Sequence, residues 1–167
     1  MANSITYQRH NELEPLQMSN GLTSAFFSVA SLAASVLAQT DRHREIAAWF
    51  ASHDQDAFGL GIVGFDVSEI PWNASTFEKD RAFVLALIEG ARARMGWDRL
   101  AYSPREDWLV DCLSSFERFV RAFDVQDAKP QTDAQGWPFG ERPARFVLCP
   151  KHAVYLHSQG CILCNDQ

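Results

Sequence analysis

The stretch SPREDWLVDCLSSFERFVRAF, residues 103–123, decides the fold class. Ser103 followed three residues later by Glu106 has the pattern of a capping box, in which a hydroxyl takes one orphan amide and a carboxylate reaches back to another. Pro104 stands at the first helical position, where its missing N–H costs nothing. Trp108, Leu109, Cys112, Phe116, Phe119, Val120 and Phe123 then recur on one stripe. That stripe is too aromatic to face water, so the sequence predicts a long helix buried along one side and covered by others.

Upstream, Ser75-Thr76-Phe77-Glu78 reads as a second box opening a second core helix. Its apolar positions Phe77, Val84, Ile88, Ala91 and Met95 share a stripe with Leu87 beside it, and Gly96 is a suitable stop. Over 22–39, Phe26, Ala30, Ala33 and Leu37 keep helical spacing, and Val29 and Val36 widen the stripe. Thr40 or Asp41 can cap a further helix over 42–52, with Ile46, Trp49 and Phe50 on its apolar face. Residues 57–72 differ, because Gly59, Gly61 and Gly64 interrupt the apolar run and favour a short strand or a packed loop. A phosphate cradle does not fit there, since Asp66, Glu69 and Pro71 stand where its helix would open. The first twenty residues have no clear period.

Downstream, Pro130, Gly136, Pro138, Gly140 and Pro143 mark a linker, pinned by Trp137 and Phe139. Residues 145–148 and 153–157 then have strand-like composition on either side of a turn. The expected class is mainly α: a helical bundle over 1–128, a linker over 129–144, and a small β-hairpin, zinc-ribbon-like module over 145–167 packed on the body. At 167 residues, 47% hydrophobic and 22% charged, the chain has the size and composition of one globular domain. The run 25–38 contains Ser28, Ser31 and Ser35 and is read as a core helix rather than a membrane span. The N-terminus lacks a basic segment leading into an apolar run, so a cytoplasmic location is expected.

Chemistry concentrates at the end of the chain, in Cys149-Pro150-Lys151-His152 and Cys161-Ile162-Leu163-Cys164. Two pairs, each with two intervening residues, can converge on one ion, and Zn²⁺ favours a closed tetrahedron of thiolates and imidazole. Cys149, His152, Cys161 and Cys164 are therefore the expected ligands, with Gly160 giving the second turn its backbone freedom. His157 is the competing imidazole, but it would break the two-residue symmetry. Four protein ligands leave no open position for water, so the metal is expected to be structural. Iron–sulfur clusters usually take four cysteines, and this segment has three. Cys112 sits on the buried stripe as a small hydrophobe.

No G-x-S-x-G elbow, H-E-x-x-H or P-loop occurs, and the zinc-deaminase signature is absent, so the expectation is not an enzyme. An acid–base site would have to be assembled from His43, Asp54 or Asp66. Net charge is −6, and residues 41–80 hold eight acids against three bases. That surplus disfavours nucleic acid and anionic membranes and favours a basic partner.

The run Gly64-Phe65-Asp66-Val67-Ser68-Glu69-Ile70-Pro71-Trp72, a helix pair with Trp97 and Leu100-Ala101-Tyr102 between its members, and the terminal Cys-x-x-His and Gly-Cys-x-x-Cys resemble small cytoplasmic immunity proteins. Such proteins are encoded beside bacterial polymorphic toxins, including toxins delivered by type VI secretion on Rhs-type carriers. The resemblance, over 59–164, implies an inhibitor that binds one cognate toxin and neutralises it. The acidic stretch is its expected docking surface, with Asp54, Asp56, Asp66 and Glu69 supplying charge and Trp72 an aromatic anchor. A zinc-ribbon adaptor or regulator and a small enzyme remain the alternatives.

Overall fold

Helix α5, Glu106–Ala122, turns Leu109, Cys112, Leu113, Phe116, Phe119 and Val120 inward in the computed structural model, which describes residues 3–129 and 137–166. It packs on α4, Phe77–Arg92, and both lie against α1, Asn20–Leu37, which also carries α2, Asp41–Ala51, on its flank. The protein is thus mainly α, with α1 at its centre. Phe26, Phe27, Val29, Ala30, Leu32 and Ala33 are fully enclosed there. α1 is long and apolar enough to cross a membrane by length and composition, but in this fold two-thirds of it is buried by the other helices.

Rings lock the layers. Phe116 meets Phe26, Phe50 and Phe65 edge-on, with centroids 5.7, 6.0 and 5.8 Å away. Such contacts add about 0.5–1.5 kcal/mol per pair to the burial of the rings.

The unpatterned N-terminus forms sheet structure. β1, Ser4–Thr6, pairs antiparallel with β2, Leu16–Gln17, and parallel with β3, Phe65–Asp66, in the order β2-β1-β3. Three residues of strand are too few for alternation to register, and buried Ile5 and Phe65 supply the packing that holds them. The short-strand reading of 57–72 is met by β3, and a four-residue helix α3, Gln55–Phe58, precedes it.

The helix starts differ from expectation. Thr40 does cap α2, accepting from the His43 amide. The box at Ser75–Glu78 does not form, because Asn73 accepts both the amide and the hydroxyl of Ser75, and Thr76 Oγ1 donates to Asp80. At α5, Glu106 pairs with Arg94 instead of reaching back to Ser103, and the helix begins without a side-chain cap. A complete box forms where none was expected: Asp66 accepts from Ser68 while Glu69 accepts from the Asp66 amide, closing a 3₁₀ turn over Val67–Glu69.

The C-terminal hairpin is also reduced. Residues 145–148 and 153–157 make the single bridge Leu148↔Tyr155, supported by Cys149 N to Val154 O at 2.8 Å and Leu156 N to Val147 O at 2.9 Å. Pairing goes no further because Val154 is drawn wholly into the core and the Tyr155 amide donates to Ser35 Oγ of α1. Val154, Tyr155, Ile162 and Leu163 belong to the same hydrophobic cluster as the helices. Of the expected linker, 130–136 lie outside the described residues. Trp137 and Phe139 pack on the core, Phe139 against His53 and Phe58.

Candidate metal centre

The two-residue spacings make two tight turns that face each other. The Cys149–His152 turn closes with Ala153 N donating to Cys149 O at 2.8 Å, and Ala153 takes a left-handed conformation, φ +52°. The second turn enters through Gly160, φ +105°, and leads into α6, Ile162–Asn165, where Asn165 N donates to Cys161 O at 3.0 Å.

The four ligand atoms lie within 4.8 Å of one another. His152 Nδ1 stands 3.3 Å from Cys164 Sγ, 3.7 Å from Cys161 Sγ and 3.9 Å from Cys149 Sγ, and Cys149 Sγ stands 3.7 Å from Cys164 Sγ. A zinc tetrahedron, with Zn–S of about 2.3 Å and Zn–N of about 2.0–2.1 Å, has S···S edges of about 3.8 Å and S···N edges of about 3.6 Å. Four of the six ligand-atom distances, at 3.3–3.9 Å, lie close to those edges, and all six are within 4.8 Å. The sulfurs are free thiols, too far apart for a disulfide bond.

The chemistry of the donor set also fits a cation. Burial pushes the Cys149 thiol up, but backbone amides of His152 and Lys151 aimed at its sulfur outweigh that and leave it below its ordinary range. Burial holds Cys161 up at about 12, with the Cys149 sulfur adding to the rise. Cys164 is likewise raised, by burial and by Cys149. Burial and the nearby Lys151 charge lower His152, which favours the neutral imidazole a metal needs. Three thiols crowded this way cannot all ionise unless a cation joins them. All four expected ligands are thus brought together, with Cys149, His152 and Cys161 buried and Cys164 exposed.

His157 stands apart from the cluster. Its Nδ1 accepts from the Gln159 amide and its Nε2 donates to Asp54 Oδ2 at 2.8 Å, with the side chain fully enclosed. Asp54 Oδ2 also accepts from Asn165 Nδ2 at 2.8 Å, and Oδ1 caps α3 by accepting from the Asp56 and Ala57 amides. One buried carboxylate therefore clasps both sides of the second metal turn to the body. Sequence reading missed this clasp, and only the capping role of Asp54 ahead of α3 had a local signal.

The expected docking residues need correction. Asp54 is 1% exposed and committed to the clasp. Asp66 is buried, accepting from Thr6, Gln8 and Ser68. Trp72 is core: it stacks on Phe123 and donates Nε1–H to Val67 O. Asp56 is exposed and Glu69 half-buried. The acidic surplus of 41–80 is partly paired within the fold, with Arg142 and Lys129 the cations brought from outside the stretch. Arg42 pairs with Asp80 and Glu45, Arg142 with Glu45, Arg44 with Asp41, and Lys129 with Glu69.

The residues of the possible acid–base site are not assembled either. His43 stacks on Phe83 and accepts from the Gln39 amide, away from the partners of Asp54 and Asp66. His53 is enclosed, with its ring stacked on Phe27, and burial lowers it to about 3. Cys112 lies inside α5 with its thiol pushed up to about 11 by burial. Comparison with protein-family models, curated proteins and solved structures finds no match for this chain.

Proposed function

We propose that Cys149, His152, Cys161 and Cys164 bind one structural Zn²⁺, making 145–167 a ribbon-like module, and that the chain is an immunity protein that binds and neutralises a cognate bacterial toxin. The observation that carries this reading is the closed donor set. Four side chains gathered within 4.8 Å can fill a zinc tetrahedron and leave no position for a reacting water, so in this reading the ion fixes the end of the chain and the work falls to the surface. In this reading the protein acts in the cytoplasm, without nucleic acid or membrane, and exposed Asp56 remains available to a basic partner, whereas Glu69 is held by the Asp66 amide and Lys129.

The test is affinity capture of the tagged chain from a native lysate, with elemental analysis of the same sample. One zinc and one stoichiometric basic protein support the reading, and that protein's toxicity should be suppressed on co-expression. One zinc with no single partner removes the immunity function and leaves the metal site standing. No metal removes both. The adaptor alternative is favoured by Val147 and Leu148, exposed immediately before the first ligand. It requires partner capture that alanine at both positions abolishes.

A further inference from the structure

The three sulfurs of the metal cluster are unequally sheltered. Cys149 and Cys161 are each 4% exposed, whereas Cys164, on the single turn of α6, is open to solvent. Ile162 and Leu163 anchor that turn in the core, so the turn stays in place while its cysteine meets water. Cys149 Sγ lies 3.7 Å from Cys164 Sγ, about 1.7 Å beyond the disulfide length of about 2.05 Å, a gap that side-chain rotation can close. The fourth cysteine, Cys112, is buried in α5 and is not part of the cluster.

A thiolate, not a thiol, attacks an oxidant, and a sulfur that binds zinc is a thiolate. Reversible oxidation is characteristic of an accessible thiolate with a second cysteine beside it to resolve the product. Cys164 has the access and Cys149 the adjacent position.

We propose that Cys164 and Cys149 form a peroxide-responsive pair whose oxidation releases the zinc. The Cys164 thiolate attacks hydrogen peroxide: an S–O bond forms, the O–O bond breaks, and hydroxide leaves a sulfenic acid behind. The Cys149 thiolate then attacks that sulfur, forming the S–S bond and expelling a second hydroxide. Two electrons pass from the sulfurs to the peroxide, and two protons from solvent turn both hydroxides into water. His152 and Cys161 alone are too few to hold the ion. The second turn then keeps only its hold on Asp54, through His157 and Asn165, and its packing on the core. A dithiol reductant restores both sulfurs and, with zinc, the closed site. The inference rests on the zinc reading of this cluster and not on the toxin reading.

The test treats the zinc-loaded full chain with hydrogen peroxide beside a chromophoric zinc chelator. Peptide mass spectrometry maps the thiols, and dimedone in a parallel sample traps sulfenic acid. One zinc released per disulfide is expected, with the disulfide joining Cys149 and Cys164, dimedone on Cys164, and zinc binding recovered after dithiothreitol. Cys164→His keeps four ligand side chains and should retain its zinc at a dose that empties the parent, whereas Cys112→Ser should release it as the parent does. Where Cys164→His does not load zinc, the disulfide and dimedone positions in the parent decide. Zinc retained in the parent at a dose that fully oxidises free cysteine, a disulfide through Cys161, dimedone first on another cysteine, or sulfonic acid without a disulfide would overturn the proposal. Absence of zinc before peroxide is added would refute the metal reading itself, whereas zinc that is present and not released would refute the switch alone.

Discussion

Asp54→Ala removes more from this fold than any exposed acid could. The carboxylate makes two charge-assisted hydrogen bonds, to His157 Nε2 and Asn165 Nδ2, both 2.8 Å, and accepts two amides at the start of α3. Bonds to a charged group are worth about 1.5–3 kcal/mol each, and loss of an N-cap costs about 1 kcal/mol. These terms overlap, because one substitution breaks all of them and leaves the enclosed His157 N–H without an acceptor. A net loss of about 3–5 kcal/mol follows, the range for breaking one side of a buried pair. For a domain of this length that lowers the melting temperature by roughly 10 °C. Urea unfolding followed by tryptophan fluorescence measures the loss, and hydrogen exchange should locate it at 157–165. Asn165→Ala, which breaks one of the two bonds, should cost less than half as much. A change below about 1 kcal/mol in Asp54→Ala would refute the clasp.

Burial holds His53 neutral, lowered to about 3 in the folded chain against about 6.5 unfolded. The unfolded chain therefore binds the extra proton as pH falls through 6.5, and the folded chain loses stability down to about pH 3. Unfolding free energies between pH 6 and 4 should fall by about 1.4 kcal/mol per pH unit more in the parent than in His53→Gln, and parallel slopes would contradict this. Ala153, at φ +52°, has the conformation that glycine adopts freely, so Ala153→Gly should stabilise by up to about 1 kcal/mol in the same assay, whereas destabilisation would mean the turn is not left-handed. A Cβ on Gly140 would lie 1.9 Å from Ser158 Oγ and 3.1 Å from Phe58, at φ +69°. Gly140→Ala should therefore cost about 1–3 kcal/mol, and a neutral result would detach this segment from the C-terminal module.

The long periodic elements were legible because packing and periodicity agree in them. The stripe over 108–123 faces inward from Leu109 to Phe123 as its spacing requires, but Trp108, expected to be buried with it, is 49% exposed with the Arg105 guanidinium on its ring. Helix starts were less legible, since Ser75 and Glu106 have the right identities but are claimed by Asn73 and Arg94, competitors that spacing does not reveal. β1 escaped notice because its pairing with Phe65 depends on residues some sixty positions away. The cluster of Cys149, His152, Cys161 and Cys164 was readable because its spacing is local, whereas the Asp54 clasp, reaching across 103 and 111 residues, was not. Placing the docking surface by acid count failed for a related reason: Asp54 and Asp66 have their partners inside the fold.

The most direct test of the metal centre is elemental analysis of the natively purified chain beside Cys149→Ser, Cys161→Ser and Cys112→Ser. One zinc per chain is expected in the parent and in Cys112→Ser, with loss of the metal in the other two. A parent without metal, or equal retention in all three variants, would contradict the account.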